Sequence, residues 1–219
     1  GAGTLAQRNK TVVSGTANVL IGAGTVSGHG HTAVGLNNQT KAEADKGVML
    51  GYANEIQGTG GYQIAIGGAT HVRNNYGLAI GLAARAKNED TVAIGRSVSA
   101  AGQKTVALGY VADATGTNSV AIGANPLALG TQAIAIGDDA SSKGQYNIGI
   151  GSDTIVSGRD NIAIGTEAKI EGHTGGGIGT NAGLTSKTKQ SMAIGYSANV
   201  SGAMRGIAIG PEVRTVTSG

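Results

Sequence analysis

The chain has 219 residues, of which 40 are Gly, and it contains no Cys, Trp or Phe. Glycine at more than twice its usual share of about 7%, with 40% hydrophobic residues, excludes both a disordered polar tract and a thick aromatic-filled core. The charge is modest, 16 Lys+Arg against 13 Asp+Glu, and no basic cluster interleaved with aromatics points to nucleic acid.

Thiol chemistry and disulfides are excluded by composition. Collagen is excluded because Gly does not recur at every third residue. No apolar run approaches the roughly 18 residues of a membrane helix. The chain opens at Gly1 with no signal peptide, the expectation for a piece or a processed product of a longer protein.

One repeat dominates from end to end. Aliphatic-Ala-aliphatic-Gly begins at Val19-Leu20-Ile21-Gly22 and continues through Thr32–Gly35, Val48–Gly51, Ile64–Gly67, Leu78–Gly81, Val92–Gly95 and Val106–Gly109. It goes on through Val120–Gly123, Ile134–Gly137, Ile148–Gly151, Ile162–Gly165, Gly176–Gly179 and Met192–Gly195 to Ile207–Gly210. Of these 14 copies, all carry Ile, Val or Leu before the closing Gly, and 10 carry Ala before that. From Gly67 to Gly179 the closing glycines are 14 apart; elsewhere the step is 13, 15 or 16. Variation of that size fits residues added to surface loops of a repeat structure.

The second half of each repeat alternates. Three and five residues after the closing Gly the side chains are small or apolar, as at Val98 and Ala100 or Ala168 and Ile170. The residues between them are mostly polar, as at Glu167, Lys169 and Glu171. Period-2 alternation predicts a strand with one buried face. A second Gly often follows at seven, at Gly102, Gly116, Gly130, Gly144, Gly158 and Gly172. Its expected role is a turn that needs positive φ. One repeat is therefore strand, turn, strand, turn, and successive repeats stack as parallel coils about 4.8 Å apart. The fold class is all-β, a parallel β-solenoid of about 14 coils. The whole of 1–219 reads as one repetitive domain, most regular over about 64–179.

The first strand is apolar on both faces: Val92 and Ile94 share one, Ala93 takes the other. Such a strand is buried on both faces, yet a narrow two-layer coil covers only one. A bare apolar strip along the stack is what monomers avoid. The expectation is a homo-oligomer with cyclic symmetry. The strands carrying Ile66, Ile80, Ile94, Leu108, Ile122, Ile136, Ile150 and Ile164 supply its core and interface. Three copies make the simplest ring, but the spacing does not itself choose three.

Asn118-Ser119-Val120-Ala121-Ile122-Gly123, Asp160-Asn161-Ile162-Ala163-Ile164-Gly165 and Thr91-Val92-Ala93-Ile94-Gly95 resemble the YadA-like head repeat of trimeric autotransporter adhesins. The resemblance covers about residues 10–215. It implies a left-handed parallel β-roll, a homotrimer, and a place at the tip of a fibre on the outer membrane of a Gram-negative bacterium. It implies an adhesive role in virulence, with host matrix proteins such as collagen or fibronectin, or host cell-surface receptors, as partners. It implies no catalysis and no cofactor. That family's neck motif, coiled-coil stalk and membrane anchor are not recognised in the run Glu212–Gly219.

Other chemistry is weaker. His29 and His31 offer two metal ligands where a site needs more, so they are expected to be loop residues. His71 and His173 are expected to be solvated, on outer strand or turn. Gly175–Gly179 lacks the strand and helix context of a phosphate loop and reads as a degenerate repeat. Asp138-Asp139 and Glu89-Asp90 are neighbours in turns, not carboxylates facing across a cleft. The six tyrosines map to coil corners. On the outer strand, Arg73, Arg85 and Lys87 sit on two successive coils, positioned to meet an acidic ligand or to keep the rod soluble. Val111, Leu127, Leu129 and Ile155 break its polar pattern, and together these seven residues are the candidate ligand-binding positions. Two other classes stay in view, a hexapeptide-type acyltransferase and an ice-binding solenoid. The first wants a period in multiples of six and the second a flat Thr array.

Overall fold

The computed structural model describes residues 11–41, 44–59, 61–185, 188–202 and 204–216. It divides into two compact units, Gly1–Lys104 and Thr105–Gly219. No helix occurs among the described residues. Each unit is a parallel β-solenoid, and together they hold the coils that the repeat count predicts.

In the first unit the repeat's first strands stack in register, Val19↔Thr32, Thr32↔Val48, Val48↔Ile64, Ile64↔Leu78 and Leu78↔Val92. The second strands stack beside them, Gln39↔Glu55, Glu55↔His71, His71↔Arg85 and Arg85↔Ser99. The closing glycines pair with each other across the 16-residue steps, Gly35↔Gly51 and Gly51↔Gly67, so the additional residues lie outside the ladder.

The second unit repeats the plan. Its first strands run from Val106–Tyr110 and Val120–Ala124 to Met192–Ile194 and Ile207–Ile209. Its second strands run from Asp113–Ala114 to Asn199–Ser201 and Arg214–Val216. The degenerate copy keeps its place, with Gly176–Ile178 in register between Ile162–Ile164 and Met192–Ile194.

The interior is one side chain thick. Alternation along the first strand turns Ala65, Ala79, Ala93, Ala121 and Ala163 inward, where they are fully buried. They meet the inward residues of the second strand, such as Val98 and Ala100 or Ala168 and Ile170. Volume is balanced across this gap. At the two coils of the second unit where Gly replaces the inward Ala, the facing residue is larger: a methyl built on Gly149 comes within 3.0 Å of Val156, and one built on Gly177 overlaps Ile170. Close packing of this kind is why a single methylene is felt in a protein interior.

Both corners of a coil place a residue in the left-handed region, and in nearly every coil that residue is not Gly. Ala83, Ser97, Asn125, Asp139 and Glu167 hold one corner with φ between 52° and 57°. Tyr76, Asp90, Gln132, Tyr146 and Asp160 hold the other, with φ between 55° and 59°. The conformation costs about 1–2 kcal/mol for a residue with a Cβ. In return the corner amide reaches the previous coil: Ser97 N–H donates to Leu82 O at 2.8 Å and Asp139 N–H to Ala124 O at 2.9 Å.

The glycines answer a different need. The closing glycines have φ near 130°, and a Cβ at Gly123 would overlap the carbonyl oxygen of Gly137 in the next coil. The expected positive-φ role of the second Gly holds at Gly158, with φ 88°, and is corrected at three others. Gly116, Gly130 and Gly144 have no positive φ; a Cβ on each would run into the carbonyl group of the corresponding Gly one coil on. These glycines are spacers between coils, and the turns are made by residues beside them.

Candidate functional surfaces

The first strands carry their aliphatic residues outward. Ile66, Ile80 and Ile94 of the first unit are half-buried, as are Ile122 and Ile136 of the second. Leu108, Ile150 and Ile164 are more open, the last at 38%. They do not form the coil interior, which belongs to Ala. The neighbouring outward residues Ile64, Leu78, Val92, Val120, Ile134, Ile148 and Ile162 form a second column beside the first. In each unit this makes an apolar face two residues wide on a parallel sheet. Its regularity fails at Gly176, where a cavity of about 410 Å³ opens between Ile162, Met192 and Ile207.

The outer face carries the second strands. Arg73 and Arg85 are exposed and Lys87 is half-buried. Arg85 lies opposite His71 in the ladder, and Arg73 N–H donates to Ala86 O at 2.9 Å, which sets Arg73 beside Lys87. The structure therefore brings these three sequence-predicted residues together. His71 is not simply solvated: its Nε2 lies 3.4 Å from Glu55 Oε2, and its Nδ1 is buried without a hydrogen-bond partner.

The aliphatic candidates do not form one surface. Leu127 and Leu129 flank Ala128 on one coil, with Leu129 40% exposed. Ile155 lies two coils on, separated from Leu127 by Ser141. Val111 is not on an outward strand position at all, since it is the corner residue, with φ 53°. Of the tyrosines, Tyr62 and Tyr76 stack at a corner, ring centres 6.0 Å apart and 11° from coplanar, with Lys46 Nζ 4.9 Å above the Tyr62 ring. Tyr52 and Tyr110 are exposed ends of first strands rather than corner residues.

His29 and His31 diverge. His29 is exposed and its Nδ1 accepts from Thr16 N–H at 3.1 Å. His31, expected in a loop, is fully buried. Gly47 N–H donates to its Nδ1 at 3.0 Å, which places the ring proton on Nε2, the donor to Ala44 O at 2.8 Å. It bridges two coils as a structural residue. Among the described residues no group of three His, Cys, Asp or Glu is arranged to hold a metal ion.

Two buried polar ladders escaped the sequence reading. In the first unit, Asn38 Oδ1 accepts from Asn54 N–H at 3.1 Å, and Asn54 Oδ1 from the Thr70 hydroxyl at 2.6 Å. In the second, Asn147 Oδ1 accepts from Asn161 N–H at 3.0 Å, and Asn161 Oδ1 from Gly175 N–H at 2.9 Å. The signal was present: each Asn sits one repeat from the last, at the same offset from its closing Gly.

Each unit is thus a repetitive parallel solenoid, filled by alanine and bearing one apolar and one mostly polar face. The family model described as the YadA head domain repeat matches residues 74–97, 100–125, 128–146 and 189–212. The chain thus carries a YadA-like head domain, and that family is one of adhesins rather than enzymes. The search of the curated proteins gave no match.

Proposed function

We propose that this chain is the ligand-binding head of a trimeric autotransporter adhesin, displayed outside the outer membrane and engaging host matrix proteins or host cell-surface receptors. The observation that carries the reading is the two-residue-wide apolar face of each unit, in a domain whose repeats are those of an adhesin family. Three copies packing these faces about an axis, as left-handed rolls, remove the aliphatic columns from water. At about 25 cal/mol per Å² of apolar area, burial of so many Ile and Val side chains is a strong drive to associate. The mostly polar second strands then face outward three times over, and weak contacts on each face add through effective concentration.

Light scattering on a size-exclusion column tests this. The expected mass is three times the 21.4 kDa of one chain. The double variant Ile122→Lys, Ile150→Lys sets unpaired charges into that interface and is expected to give single chains that bind immobilised matrix protein far more weakly. A parent protein that runs as one chain, or a monomeric variant that binds as well as the parent, refutes the proposal.

A further inference from the structure

We propose that the outer strands of the first unit form a docking site for a sulfated polysaccharide, built from Arg73, Arg85 and Lys87. This names a ligand class for the proposed adhesive head and so rests on that reading. They fill three places of a two-by-two array, Arg85 in one column with Arg73 and Lys87 in the next; the fourth place holds His71, whose ring is paired with Glu55. Within a column the backbones are about 4.8 Å apart, and along a strand the two outward positions are about 6.6 Å apart. The array is bounded. The equivalent positions hold Glu55 and Gln57 on the coil before, Ser99 and Ala101 on the coil after.

The three permanent cations make no side-chain ion pair or hydrogen bond among the described residues. None of the ion pairs His71–Glu55, Arg159–Asp160 and Lys169–Glu171 involves Arg73, Arg85 or Lys87. Arg73 and Lys87 are like charges side by side on adjacent strands, which is unfavourable by itself. A ligand carrying closely spaced anions relieves that repulsion, and the arginine forks can each clasp an anionic oxygen pair.

Chemistry favours a sulfated glycan over other polyanions. A protein partner anchors on apolar or aromatic residues at the centre of its site, and this array has none. Single-stranded nucleic acid needs open aromatic faces. Tyr62 and Tyr76 are exposed, but they stack at a coil corner, outside the array, with Lys46 over the Tyr62 ring.

The test uses the full chain and heparin oligosaccharides of defined length, read by calorimetry over a range of salt. Expected is salt-sensitive binding that falls at least tenfold in the variant Arg73→Ser, Arg85→Ser, Lys87→Ser, with a shallower salt slope. The matched variant Lys143→Ser, Lys189→Ser, Arg214→Ser removes equal charge from exposed positions in the second unit and is expected to change binding less than threefold. Equal losses in both variants, no heparin binding, or equal binding of chemically desulfated heparin, single-stranded DNA or polyglutamate overturns the proposal. Solution mass is recorded on the same samples. A trimer that ignores heparin sinks this site alone; a single chain that binds heparin through the array sinks the trimer alone.

Discussion

Replacing Gly123 by Ala adds one methyl to the coil-to-coil spacing. The new Cβ overlaps the Gly137 carbonyl oxygen and stands 2.7 Å from its carbon, closer than folded chains tolerate. The obstacle is backbone, which cannot rotate aside as a side chain could. Two costs combine. A residue with a Cβ at φ 137° carries about 1–3 kcal/mol of strain. Relieving the overlap separates the coils and weakens one or two ladder hydrogen bonds, each worth about 1 kcal/mol. Together the loss is roughly 2–5 kcal/mol, a fall in melting temperature of roughly 4–20 °C for a chain of this size. Gly176→Ala is the control. Its φ is ordinary, and the only atom near its new methyl is Ile162 O at 3.9 Å. It is expected to melt within 2 °C of the parent, taking surface substitutions as worth about 0.5 kcal/mol. Circular dichroism melts of the three proteins at matched concentration decide the matter. If the two variants melt alike, glycine's role in the repeat is not the carbonyl contact.

Three further outcomes follow from the packing. Gly177→Ala collides with Ile170 and is expected to cost about 1–3 kcal/mol, while the double variant with Ile170→Val recovers most of it; a denaturation cycle showing simple additivity contradicts the size balance. Asn161→Ala strips partners from Gly175 N–H and from the carbonyls of Ser157 and Gly172, with an expected loss of about 2–4 kcal/mol in urea melts and faster amide exchange at Gly175. Val111→Asn places a residue that accepts the left-handed region where a β-branched one now sits at φ 53°; a gain of about 1 kcal/mol in urea melts is expected, and a loss shows that Val111 packs usefully.

Much of this architecture was legible because two periods coincide in the sequence. A 14-residue repeat located the coils, and a 2-residue alternation inside it told inward from outward, so Ala93 and Ile94 face opposite ways as read. Three things were misplaced for physical reasons. The second glycine was assigned to turns because positive φ is the habitual reason for Gly, whereas the clash that demands it lies one coil away. His31 looked like a loop residue because polarity was the guide, and the asparagine ladders went unread, since a buried polar group is recognised only with its partners in view. Val111 was counted outward on a strand because a β-branched residue is the last one expected at a left-handed corner. Arg73, Arg85 and Lys87 needed only the register to become neighbours.

The alanine-filled interior has a consequence for how such a surface can change. Because folding information is confined to small inward residues and spacer glycines, the outward letters of each coil can be rewritten without repacking anything beneath them. The same backbone position holds Arg85 in one unit and Leu127 in the other. The outer strand behaves as a lattice of fixed pitch, with columns set by the repeat and contents set by whatever must be recognised. Gaining or losing a ligand then needs only two or three substitutions on adjacent coils, and a polymer whose own repeat matches a multiple of the coil spacing finds its contacts already aligned.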